Sequence, residues 1–104
     1  MVLMWPPARL LSASQDELPV GLTAKAGNRR VSIGWFATPG ATSYSIKRAT
    51  SPGGPYITVG KPSDPAFEDK SVENKTTYYY VVNAHNSAGR SPNSEHVNAT
   101  PTDA

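Results

Sequence analysis

From Pro19 to Thr100 apolar and polar residues alternate in short runs, broken by turn formers roughly every 8 to 12 positions, the spacing of an all-β sandwich or barrel. Leu22 and Ala24 alternate with Thr23 and Lys25 before Gly27-Asn28 turns the chain. Val31, Ile33 and Trp35 alternate with Ser32 and Gly34, which puts three large apolar groups on one strand face. After Thr38-Pro39-Gly40 a strand resumes, with Tyr44 and Ile46 alternating with Ser45 and Lys47. Ser51-Pro52-Gly53-Gly54-Pro55 ends it, because prolines remove donors and glycines permit positive φ. A short strand is predicted at Tyr56 to Val59, then punctuation at Lys61-Pro62 and Asp64-Pro65, then a brief strand anchored by Phe67 ahead of Val72. The longest strand runs from Thr77 to Asn86, with Tyr78, Tyr80, Val82 and Ala84 on one face and Tyr79, Val81, Asn83 and His85 on the other. The turn Ser87 to Pro92 leads to a last strand with Val97 and Ala99 inward.

Seven short antiparallel strands without a helix close by stacking two sheets about 10 Å apart or by curling into a barrel. Trp35, the inward tyrosines, Phe67 and the Val, Ile and Leu residues supply the filling, and charged groups are expected to be absent from the inward positions. The chain has 104 residues, 10 Pro, 8 Gly and no Cys. That length suits one domain. The absence of Cys removes disulfides, a thiolate nucleophile and Cys-based metal sites. Residues 1–17 (MVLMWPPARLLSASQDE) show neither period and include Pro6-Pro7, so they read as a linker or the edge of a preceding domain. The domain is placed at 18–101, with 102–104 as a tail. No apolar run reaches the roughly 18 to 20 residues of a membrane span, and Val2 to Trp5 is too short for a signal peptide and lacks its basic flank.

Charge is uneven although the net value is only +2. Residues 28–61 hold Arg29, Arg30, Lys47, Arg48 and Lys61 with no acid, whereas 62–104 hold six acids against Lys70, Lys75 and Arg90. Five cations on different strands are too thin a stripe for nucleic acid, which is not expected as a partner. His85 and His96 are predicted to point outward near the last turn and to be possible neighbours, but Glu95 alternates away, so no metal site is expected. Asp64, Glu68, Asp69 and Glu73 lie around turns without a cleft to hold a sugar between them. No glycine-rich phosphate loop opens a helix. No catalytic residue and no cofactor are expected.

The run Pro19-x-x-Leu22, Val31-x-Ile33-x-Trp35, Ala41-Thr42-Ser43-Tyr44-x-Ile46 and Thr76-Thr77-Tyr78-x-Tyr80-x-Val82-x-Ala84-x-Asn86-x-Ala88-Gly89-x-Ser91 resembles a fibronectin type III domain. The resemblance implies a seven-stranded, immunoglobulin-like antiparallel sandwich in which Trp35 and Tyr44 are core aromatics. It also makes Tyr78 the corner tyrosine, whose hydroxyl bonds back to nearby backbone. Tyr80 joins these three as a structural residue. The segment Ser51 to Val59 and the triple Tyr78-Tyr79-Tyr80 resemble the bacterial branch, found in secreted carbohydrate-active enzymes. That branch usually shows Asn-Gly where this chain has Asn74-Lys75, and Leu where it has Val72, which implies a left-handed Lys75 or a differently shaped corner. The adhesive tripeptide Arg-Gly-Asp is missing; the corresponding loop reads Gly89-Arg90-Ser91.

The expected role is a non-catalytic accessory or spacer module in a larger secreted bacterial protein such as a glycoside hydrolase, with flanking domains of the same chain as its partners. An alternative is a polysaccharide- or protein-binding module using the outer sheet face with Tyr79, Tyr56, Lys47 and His85, since sugars stack on exposed rings. Phe36 is a further exposed ring. A third reading is an animal adhesion or receptor domain. Pro19, Pro55 and Pro65 near strand starts discourage edge-to-edge pairing, so a monomer is expected.

Overall fold

A computed structural model describes residues 18–103; the segment 1–17, read above as a linker or domain edge, lies outside the described residues. Eight strands follow in order: β1 (Thr23–Gly27), β2 (Arg30–Gly34), β3 (Ser43–Ala49), β4 (Ile57–Gly60), β5 (Ala66–Asp69), β6 (Tyr78–Asn86), β7 (Gly89–Arg90) and β8 (Val97–Ala99). They form two antiparallel sheets, β1-β2-β5 and β4-β3-β6-β7, with β8 also paired to β6. The all-β sandwich expected from the alternation is present.

The expected seventh strand arrives as two pieces. Pro92 has no N–H to give the ladder, and between β7 and β8 two serines take over. Ser91 donates its N–H to the Ala84 carbonyl at 2.8 Å while its Oγ accepts from the Ala84 N–H at 2.9 Å. Ser94 repeats this with Val82, at 2.8 Å and 3.0 Å. Each hydroxyl stands where a strand carbonyl would otherwise be, so the buried β6 amides stay satisfied while the ladder is interrupted.

Between the sheets lie Val31, Ile33, Trp35, Tyr44, Ile46, Val72, Tyr78, Tyr80 and Val82. The rings of Trp35 and Tyr44 meet edge to face, centroids 5.2 Å apart at 73°. Phe67 reaches from β5 across the end of β4 and lies where a Cβ at Gly60 would have to go.

One expectation is overturned: charged groups do occupy inward positions. The alternation that buries Tyr44 and Ile46 continues to Arg48, and Asp69, two residues beyond Phe67, is only 2% exposed. Arg48 Nη1 donates to Asp69 Oδ2 at 2.8 Å, and the Tyr80 hydroxyl donates to the same oxygen at 2.9 Å. Ser71 gives Asp69 Oδ1 its N–H at 3.0 Å and its hydroxyl at 2.8 Å. The guanidinium also lies 5.3 Å from the centroid of the Tyr78 ring. A buried carboxylate is tolerable when it is paired and its lone pairs are filled, and four donors fill these.

Candidate functional site

The four aromatics assigned to structure are buried, and three of their polar ends are occupied. The Tyr44 hydroxyl accepts the Thr38 N–H at 2.9 Å. The Tyr78 hydroxyl accepts the Glu73 N–H at 3.0 Å, five residues back, which is the corner contact the resemblance implied. Tyr80 is tied to Asp69, and its hydroxyl is pushed well above the ordinary tyrosine value by burial and by bonding to that carboxylate. Trp35 Nε1 is buried without a hydrogen-bond partner. Lys75 has φ 72°, the left-handed conformation expected at a position that usually carries Gly, and its N–H donates to the Pro101 carbonyl at 2.8 Å.

The candidate ligand residues stand on the outer face of the larger sheet. Directly opposed residues in an antiparallel pair share a face, so the register writes this surface as rows. Ser43, His85 and Arg90 form one row. Ser45 and Asn83 form the next, flanked by Lys61, which follows the Gly60 partner of Ile46. Thr58, Lys47 and Val81 form the third. Ala49, Tyr79 and Asn98 form the fourth, with Tyr56 preceding the Ile57 partner of Arg48. Tyr79, Tyr56, Lys47 and His85 thus share one surface, whereas Phe36, 69% exposed, follows β2 in the other sheet and lays its ring over Gly21.

At the aromatic end the Tyr79 and His96 rings meet edge-on, centroids 5.4 Å apart at 79°. The Tyr56 hydroxyl donates to the Pro52 carbonyl at 2.7 Å, and burial and then the nearby Tyr79 phenol raise its pKa above the ordinary value. At the other end His85 Nε2 lies 2.7 Å from Ser45 Oγ. Burial lowers the His85 pKa, and the positive charges of Arg90, Lys61 and Lys47 lower it further. Lys61 and Arg90 were not singled out in the sequence. The acid-free stretch 28–61 hinted at the first, and only the hairpin register reveals the second.

The two histidines are not neighbours. His96 packs on Tyr79, six positions along β6 from His85, or about 20 Å of strand. Among the described residues no three His, Cys, Asp or Glu side chains gather as metal ligands. A groove of about 410 Å³ runs between Leu18–Leu22 and Ser94–Val97. Among the described residues of its walls the one hydroxyl nucleophile, that of Ser94, is committed to the Val82 amide and the Glu95 carbonyl.

This geometry, two antiparallel sheets closed over Trp35 and Tyr44 with a corner tyrosine at Tyr78, defines a fibronectin type III-like sandwich. No family model matches the chain. A solved Fn3-like protein from Clostridium thermocellum is 32% identical with a TM-score of 0.75, covering 86% of this chain and 96% of that one. The chain belongs to the fibronectin type III family. It is also similar to part of a β-1,2-glucanase from Parabacteroides distasonis, 30% identical with a TM-score of 0.75 over 84% of this chain and 13% of that one. An amylopullulanase of Thermoanaerobacterium saccharolyticum is 33% identical over 69 residues, which is 65% of this chain; the match spans only 5% of that relative's length.

Proposed function

We propose that this chain is a non-catalytic accessory module, spanning residues 18–101 with 102–104 as a tail, of a larger secreted bacterial enzyme that degrades glycans. The observation that carries this reading is that Tyr44, Tyr78 and Tyr80, which would make a concave site if they lined one, are buried with their hydroxyls bonded inside the protein. Chemistry needs a nucleophile or acid–base pair with room for substrate, and the sandwich interior offers none. The similarity to small portions of an amylopullulanase and a β-1,2-glucanase supports the enzyme context. In that setting a compact module sets the separation and orientation of its flanking domains. It acts as a monomer, without cofactor or metal.

Incubating the purified chain with starch, pullulan and β-1,2-glucan and measuring released reducing ends tests the non-catalytic reading. No release above buffer is expected; hydrolysis that survives repurification would sink it. Sedimentation equilibrium is expected to give a single species near 11.1 kDa.

A further inference from the structure

Ion pairs are unevenly distributed over this molecule. Arg30 and Lys70 both reach Glu68, and Arg48 is matched by Asp69. Lys47, Lys61 and Arg90 have no carboxylate within ion-pair distance among the described residues, as is also true of Lys25, Arg29 and Lys75, but the first three share the outer face of the five-stranded sheet. The four rows of that face contain no acid at all. Three cations on one face whose rows hold no carboxylate make a positive surface that an anion meets without like-charge repulsion.

We propose that the outer face of the five-stranded sheet binds an acidic polysaccharide, with Lys47, Lys61 and Arg90 meeting its charged groups and Tyr79 and Tyr56 meeting sugar rings at one end. The placement of the charges favours this ligand. Lys47 lies opposite Val81 and Arg90 opposite His85, four positions apart on β6, or about 13 Å along the strand. Across the sheet, Lys61 and Arg90 are three strand spacings apart, about 14 Å. Nucleic acid carries a charge about every 3.4 Å of each strand, and its binders neutralise many phosphates together. Three cations this far apart are too few for that mode, and each can meet a separate carboxylate along a chain of acidic sugars. The half-buried rings of Tyr79 and Tyr56 beside the cations add a second element of sugar recognition, apolar surface that a pyranose can meet. This reaches beyond the spacer reading, since it gives the module a ligand of its own.

Affinity electrophoresis of the full chain at low salt, in gels containing polygalacturonate, dextran or oligothymidylate, tests the proposal. Retardation is expected with polygalacturonate, fading as salt rises above 0.1 M, where screening sets in within about 10 Å, and none with dextran. The triple variant Lys47→Glu, Lys61→Glu, Arg90→Glu is expected to lose roughly tenfold or more in affinity, while Lys25→Glu with Lys75→Glu, elsewhere on the surface, changes it little. No retardation by polygalacturonate at low salt, equal losses in both charge variants, or tighter binding of oligothymidylate would each overturn the proposal. Should the triple variant fail to fold, amide shifts of the unmodified chain on adding oligogalacturonate decide: shifts confined to β3, β6, β7 and the stretch from Tyr56 to Lys61 that contains β4 support it, and shifts scattered over β1, β2 and β5 overturn it.

Discussion

Asp69 of the three-stranded sheet and Arg48 of the five-stranded sheet form an ion pair at 2.8 Å across the sandwich, with the carboxylate 2% exposed and the guanidinium 16% exposed. The Tyr80 hydroxyl reaches the same carboxylate oxygen from the centre of the larger sheet. The two layers are therefore joined by a polar stitch as well as by apolar contact. Forming such a pair brings little net stability over an apolar filling, because both charges lose their water. Breaking it is costly, because the remaining partner is left buried and unmatched.

Replacing Asp69 by Ala is accordingly expected to cost about 3–5 kcal/mol, a large part of the stability of a small domain, read from the urea midpoint. Acid should act through the same group. Burial alone would raise the Asp69 carboxyl, but hydrogen bonds from Arg48, Ser71 and Tyr80 outweigh it and hold the pKa below the ordinary carboxylate value. A depressed folded-state value means the stabilisation is complete above the unfolded value of about 3.9 and is lost as pH falls through the folded one. The wild-type midpoint should thus drop more steeply below about pH 4 than that of Asp69→Asn; parallel curves would show that other groups carry the acid sensitivity.

Tyr78 and Tyr79 are adjacent, yet their hydroxyls should matter very differently. Tyr78→Phe leaves the Glu73 N–H without its partner and is expected to cost about 1–2 kcal/mol. Tyr79→Phe, on the outer face, should change the midpoint by less than about 0.5 kcal/mol. Equal effects of the two substitutions in thermal melts would remove the corner contact from the account of stability.

At φ 72° Lys75 pays the steric cost of a left-handed non-glycine residue. Lys75→Gly should relieve it and raise the melting temperature, by up to about 1 kcal/mol of stability, since the unfolded chain gains some entropy in return. Lys75→Ile, with branching at Cβ, should lower it. Differential scanning calorimetry of the pair gives the two signs directly.

What the sequence showed plainly was whatever repeats at short range. Val31, Ile33 and Trp35 announce a half-buried strand within five residues, whereas the left-handed Lys75 followed only from the family resemblance, which left a differently shaped corner open. The charged stitch was missed because Arg48 breaks the apolar alternation of β3 in type while keeping it in phase, and its partner lies 21 residues away in the other sheet. The cationic face was legible in part. Lys47 and His85 stand out locally, but Lys61 and Arg90 join them only through strand order, which pairs β3 with β6 across a long connection. His85 and His96, possible neighbours by sequence, stand apart for a similar reason: the Ser91 to Ser94 segment carries the chain well down β6 before β8 begins.

That segment yields the sharpest local expectation. Ser91 and Ser94 are buried, and their hydroxyls are the acceptors found for the Ala84 and Val82 amides in the middle of β6. Substituting either serine by Ala removes an acceptor while leaving a buried donor in place, which costs about 1–3 kcal/mol, more than the bond itself is worth. Thr keeps the hydroxyl and should retain much of the stability. Hydrogen exchange separates this mechanism from a general loosening of the fold. In Ser94→Ala the Val82 amide should exchange faster relative to wild type than the Ile46 amide across the sheet, and in Ser91→Ala the Ala84 amide should do the same. A uniform acceleration across β3 and β6 in both variants would mean that the hydroxyls serve only global stability and do not stand in for the missing strand carbonyls.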